Sequence, residues 1–129
     1  MFESIDSFSG FSVDDLDRAR EFYGTTLGLH VEQQGGMGFR IQLPAGGAVF
    51  VYPKDNHEPA TFTILNFVVA DIDAAVDELN ASGVATKIYS DEEFPTDDKG
   101  IVRPGNPEWG PEIAWFRDPA RNVLAVIQG

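Results

Sequence analysis

The chain has 129 residues and a mass of 14.1 kDa, the size of one domain or of two very small modules that share a core. Its net charge of −12 argues against a nucleic-acid partner, and no apolar run reaches the roughly 20 residues that cross a membrane. The absence of cysteine excludes disulfides, zinc–thiolate sites and a cysteine nucleophile, and it fits a cytoplasmic location.

The first half of the chain predicts one strand, one helix and three further strands. The first strand is predicted over residues 8–13, and Asp14 or Asp15 supplies the cap that begins the helix. The apolar stripe of that helix comprises Leu16, Ala19, Phe22 or Tyr23, and Leu27, and Gly28 ends it. The remaining strands are predicted over residues 30–33, 38–43 and 48–52, between glycine-rich turns.

The second half repeats this pattern 56 residues later, after a polar linker over residues 53–60. The matching pairs are Phe11/Phe67, Val13/Val69, Asp15/Asp71, Leu16/Ile72, Asp17/Asp73 and Ala19/Ala75. Strands are predicted over residues 62–69, 86–89, 112–117 and 123–128, with a long loop over 91–111. The helix stripe is Ile72, Ala75, Val76 and Leu79, with Asp71 as its cap and Gly83 at its end.

Each half therefore has the order βαβββ, and the predicted fold class is α+β. We expect one domain made of two tandem modules, residues 1–55 and 60–129. Two such half-sheets cannot bury their faces alone, so we expect them to form a pseudo-symmetric curved mixed sheet. A pair of this kind leaves a central cleft, which is a usual place for a small ligand.

Three segments of the chain resemble the vicinal-oxygen-chelate superfamily, which includes glyoxalase I, extradiol dioxygenases, and fosfomycin- and bleomycin-resistance proteins. They are FSVDDLDRAREFY at 11–23 with LGL at 27–29, FVVADIDAAVDEL at 67–79, and DPARNVLAV at 118–126. The resemblance covers nearly the whole chain apart from about 91–110. It implies the tandem βαβββ fold and a homodimer, with a monomer as the alternative. It does not imply one activity, because this fold supports isomerases, dioxygenases, transferases and non-catalytic binders.

The resemblance also implies where metal-dependent members hold a divalent ion, with His, Glu or Gln side chains that face the cleft. The matching positions here are Phe8, Ile64 and Ala125, together with one position on the strand over 48–52. The side chains of Phe8, Ile64 and Ala125 carry no nitrogen or oxygen donor. We therefore expect no metal and no other cofactor, and we expect His30 and His57 at the surface.

The same strand positions define the expected ligand-binding cleft, which is apolar and aromatic. Its predicted residues are Phe8, Phe50, Tyr52, Ile64, Asn66, Trp115 and Ala125, with Trp109 and Phe94 as a lid. Ile64 and Asn66 share one side of their strand if its alternation is regular. The loop over 91–111 is expected to be a rim or lid of the cleft, or else an arm that contacts a second copy.

We predict a metal-independent binding protein of the glyoxalase/bleomycin-resistance type, with an aromatic or cationic ligand and no assigned catalytic residue. Aromatic walls stack planar or cationic groups, and the acidic charge would favour a cation, although solubility alone also explains it. The alternative is an enzyme of the same superfamily, a lyase, isomerase or dioxygenase with a displaced or absent metal. Its candidate general bases are Tyr52, Glu93 and Glu112. A module without any small ligand is the third hypothesis.

Overall fold

The structure, a computed structural model, describes residues 1–129. Two compact units make up the chain, Met1–Pro59 and Ala60–Gly129. Each unit has one four-stranded mixed sheet and few helical residues, which confirms the predicted α+β class. None of the helices is long and apolar enough to cross a membrane.

The first unit is built on four strands that match the predicted ones to within one residue at each end. They are β1 (Ser9–Val13), β2 (His30–Gln33), β3 (Phe39–Gln42) and β4 (Ala48–Pro53). Their order across the sheet is β1-β4-β3-β2. The first and last strands, β1 and β4, are parallel, whereas the other neighbours are antiparallel.

The helix of the first unit changes its winding part-way along. Helix α1 (Leu16–Glu21) is capped by Asp15, whose Oδ1 accepts a hydrogen bond from the Arg18 N–H at 3.0 Å. A π-helical segment follows over Phe22–Thr26. Its wider turn brings both Phe22 and Tyr23 to the buried side, where the sequence had left one or the other. The Tyr23 ring lies in the core, 5.8 Å from the Phe11 ring centroid.

The second unit repeats the topology of the first. Its strands are β5 (Thr63–Val69), β6 (Ile101–Val102), β7 (Ile113–Arg117) and β8 (Val123–Gln128), in the order β5-β8-β7-β6. Helix α2 (Ile72–Ala81) begins at Asp71, whose Oδ1 accepts from the Ala74 N–H at 3.1 Å. It ends as predicted at Gly83, where φ is +86° and the next N–H, that of Val84, bonds the Leu79 carbonyl at 2.9 Å.

The prediction of a strand over residues 86–89 is wrong: this segment has no regular secondary structure. The free edge of β7 is taken instead by the two-residue strand β6, from within the predicted loop. Residues 86–89 therefore have no strand partner, although their alternating pattern suits one. The segment is fixed by a side chain: the Thr86 hydroxyl donates to the Lys99 carbonyl at 2.7 Å.

Candidate functional site: an aromatic pocket in the second unit

One face of the second sheet carries three of the residues that the sequence predicted for ligand binding. Asn66 on β5, Ala125 on β8 and Trp115 on β7 lie in register with one another, so their side chains share a face. The other face, which includes Leu124 and Phe116, is buried. Ala125 is itself fully buried (0% exposed), so it forms the floor of this face and offers no surface to a ligand.

The regular alternation expected for β5 is wrong at Ile64. Thr63 pairs with Val123, and Leu65 pairs with the next residue of β8, Leu124. Ile64, between them, has no partner on β8 and forms a bulge. Thr63 therefore takes the place on the Trp115 face that regular alternation gives to Ile64. The Trp115 Nε1–H donates to the Thr63 hydroxyl oxygen at 3.2 Å, which fixes the plane of the indole.

A pocket of about 360 Å³ opens beside this indole. Seven residues line it: Thr61, Phe62, Thr63, Tyr89, Glu93, Phe94 and Trp115. The ring centroids of Phe94 and Tyr89 lie 5.1 and 5.7 Å from that of Trp115, and both rings stand nearly perpendicular to the indole. This volume is at the lower end of the range for small-molecule sites.

Glu93 supplies a fixed carboxylate at the rim of this pocket. Its Oε1 accepts from the Ser90 backbone N–H at 3.1 Å, and its own N–H donates to the Ser90 hydroxyl oxygen at 3.2 Å. The two bonds resemble the reciprocal pair that caps a helix. The Ser90 backbone N–H, and after it the Ser90 hydroxyl, hold the pKa of Glu93 below its ordinary value, so the group is ionised at neutral pH.

An ion-pair network centred on Arg103 anchors the loop that follows Glu93. The Arg103 guanidinium donates to Asp73 at 2.7 Å, to Asp97 at 2.9 Å and to Glu112. Hydrogen bonds from Arg103 and then Lys99 lower the pKa of Asp73. The loop over 91–111 is thus tied to the first turn of α2 and to the residue before β7. These ion pairs hold the loop against the second unit.

The predicted residues of the first unit form a row of rings on β4 and just before β1. Phe50 and Tyr52 are stacked with centroids 6.0 Å apart, and Phe8 meets Phe50 edge-on at 6.5 Å. Phe50 and Tyr52 pair in register with Gly10 and Ser12, on the face opposite the buried Val49 and Val51. The structure thus brings together Phe8, Phe50 and Tyr52 as the sequence grouped them.

The predicted lid residues differ in their surroundings. Phe94 covers the indole of Trp115, whereas Trp109 lies in a 3₁₀ turn (Pro107–Trp109), is 75% exposed and does not line the pocket. Tyr89 was missed because it ended the segment predicted as a strand. The position of Tyr89 in the sequence did not indicate a pocket residue, because its contact with Trp115 depends on where the 86–89 segment lies in the fold.

The residues at the positions that the resemblance matches to metal ligands do not fit a divalent ion. Phe8, Ile64 and Ala125 offer no donor atom, and the chain has no group of three or more His, Cys, Asp or Glu side chains placed to hold a metal. His30 is exposed and lies 3.2 Å from Glu32. His57, expected at the surface, is only partly exposed, and its Nδ1 is 2.6 Å from the Ser12 hydroxyl oxygen.

A family model decides the membership of the chain. The model of the glyoxalase/bleomycin resistance protein/dioxygenase superfamily matches residues 4–126, which span both units. The chain belongs to this superfamily. This chain has the paired βαβββ units. The positions that the resemblance matches to metal ligands are occupied by Phe8, Ile64 and Ala125, whose side chains carry no donor atom.

Solved structures of similar fold carry several different functions in their names. TnmS3 of Streptomyces sp. CB03234, described as an antibiotic binding protein, is 24% identical, with a TM-score of 0.65 and 98% of each chain covered. The fosfomycin resistance protein FosX of Listeria monocytogenes is 15% identical, with a TM-score of 0.72 over 100% of this chain and 95% of its own.

A lactoylglutathione lyase of Agrobacterium tumefaciens is 20% identical, with a TM-score of 0.65 over 98% of this chain and 95% of its own. No curated protein sequence matches the chain. Identities this low establish the shared fold and leave the ligand and the chemistry to be argued from the residues of this chain.

Proposed function

We propose that this superfamily member is a metal-independent binding protein for a small molecule that has aromatic or cationic groups. The observation that carries the proposal is the pocket in which the rings of Tyr89, Phe94 and Trp115 meet the carboxylate of Glu93. Aromatic faces attract planar rings and cations, at about 0.5–2 kcal/mol for each cation–π contact. The apolar residues at the family's metal positions support binding without a metal.

The surroundings of the candidate general bases favour binding over catalysis. Glu112 is paired with the Arg103 guanidinium, and the lowered pKa of Glu93 makes that carboxylate a weaker base. Tyr52 is stacked on Phe50 in the first unit. An enzyme of the same superfamily remains the alternative, and one of these three groups would then have to accept a proton from the substrate.

Two of the structural neighbours are consistent with a small-molecule ligand. One is described as an antibiotic binding protein and one as a fosfomycin resistance protein. We extend only the class of partner, a small molecule, to this chain. A homodimer and a single folding domain, both expected from the sequence, stay predictions that sedimentation and cooperative unfolding of the purified protein would check.

Binding is tested with two probes that share a ring system and size, 1-methylquinolinium and the uncharged 2-methylquinoline at pH 8. We expect at least one to shift the indole N–H resonance of Trp115 with a Kd of about 4 mM, from about 0.3 kcal/mol per non-hydrogen atom. Trp109, the other tryptophan, is an internal control, and a Trp109→Phe variant assigns the two signals. If both probes leave the Trp115 signal in place, the proposed function is wrong.

Metal independence is tested by elemental analysis of tag-free protein after brief exposure to zinc, nickel, iron(II) and manganese ions. We expect retention below about a tenth of an equivalent, because the family positions lack donors and tight sites need a preformed set of ligands. A nickel-loaded histidine-tagged sample calibrates the assay. Near-stoichiometric retention of one metal would contradict the proposal and direct attention to enzyme chemistry.

A further inference from the structure

We propose that Glu93 makes the pocket selective for an organic cation, so that the ligand carries an aromatic or alkylated nitrogen with a positive charge. This inference rests on the proposed function, since it names the class of ligand for the same pocket. It assigns Glu93 as the residue that distinguishes a charged ligand from an uncharged one of the same shape.

The arrangement of the rings is the first argument. Tyr89, Phe94 and Trp115 are inclined to one another by 59–85°, so no two of the three rings are parallel. Rings at such angles present their electron-rich faces and their edges in different directions. A compact cationic group can approach several of them at once, as in the aromatic cages that bind quaternary ammonium groups.

The position of Glu93 is the second argument. Its Oε1 and its backbone N–H are both bonded to Ser90, so the side chain is already ordered before any ligand arrives. Its hydrogen-bond partner is Ser90, and no lysine or arginine forms an ion pair with it. A carboxylate that is held in place by neutral groups and has no ion-pair partner, at the rim of an aromatic pocket, is a partner for a positive charge.

The neighbouring charges define how strong the selection is. Arg117 lies two residues after Trp115 on β7 and is a minor cause of the lowered pKa of Glu93, so it opposes a cation from one side. Glu92 is also exposed but does not line the pocket. Because Glu93 is exposed to solvent, we expect a moderate preference for the cation, about threefold to tenfold.

The test compares the Kd of 1-methylquinolinium with that of 2-methylquinoline, read from the Trp115 indole signal, in three variants. Glu93→Gln keeps an oxygen that accepts from the Ser90 N–H but removes the charge. Glu92→Gln changes the net charge by the same amount outside the pocket, and Arg117→Gln removes the opposing charge. We expect the preference to fall at least twofold in Glu93→Gln, to be unchanged in Glu92→Gln and to rise in Arg117→Gln.

The outcomes separate this inference from the function on which it rests. Equal binding of the two probes by the unmodified protein overturns the inference and leaves the binding function standing. Absence of binding by both probes overturns the two together. An equal loss of preference in Glu93→Gln and Glu92→Gln shows a general charge effect and overturns the role of Glu93. Matching thermal unfolding curves of the variants exclude misfolding as the cause.

Discussion

Replacing Gly100 with alanine is expected to lower the free energy of unfolding by about 2–5 kcal/mol. Gly100 has a φ of +89°, and a Cβ atom there would lie 2.0 Å from the Thr86 carbonyl oxygen. Both the left-handed backbone and the collision oppose the side chain. Since Thr86 also bonds the Lys99 carbonyl, the 86–89 segment would have to move away from β6. Chemical denaturation monitored by circular dichroism measures the change.

Gly105 is the matched control in the same loop. Its φ is +76°, but a Cβ atom there would meet nothing within 4 Å. Gly105→Ala should therefore cost only the backbone term, about 1 kcal/mol. Equal losses in the two variants would show that the close approach to Thr86 does not determine the position of the 86–89 segment.

Replacing Trp115 with alanine is expected to weaken binding of 1-methylquinolinium at least tenfold. The indole forms the wall that Phe94 and Tyr89 both contact, and its loss removes the largest aromatic surface of the pocket. Broadening of the probe's own proton signals reports binding without the indole resonance. Trp115→Phe should restore part of the affinity because it keeps a ring at this position.

Trp109→Ala is the control, since it removes the same side chain from a site that is 75% exposed and away from the pocket. Its affinity for the probe should match that of the unmodified protein. Loss of binding in Trp109→Ala with retention in Trp115→Ala would place the ligand elsewhere. Melting curves of both variants show whether the fold is kept.

Features that depend on neighbouring residues in the chain could be predicted from the sequence. Asp71 and Gly83 bound α2 as expected, because caps and left-handed ends are local chemistry. The strands of the first unit were predicted to within one residue for the same reason, since their periodicity is explicit. The resemblance placed Trp115 on the same face of the second sheet as Asn66 and Ala125, and the strand registers agree with this.

Features that depend on which segment pairs with the edge strand β7 could not be predicted from the sequence. Residues 86–89 have a strand pattern, yet the edge of β7 pairs with Ile101 and Val102. Tyr89 enters the pocket as a result, and no spacing rule indicated it. The skipped register at Ile64 was equally hidden, because isoleucine in a run of apolar residues fits a regular strand as well as an irregular one.

The skipped register at Ile64 has a consequence for changes in chain length. Thr63 and Leu65 already pair with consecutive residues of β8, so Ile64 is equivalent to a one-residue insertion. A chain that lost Ile64 would keep Thr63 beside Trp115 and would keep the half-buried Leu65 opposite Leu124. A deletion between Leu65 and Val69 would instead reverse the facing of every residue on one side of it. The wall of the pocket is therefore tolerant of a one-residue deletion at Ile64 and intolerant of one between Leu65 and Val69.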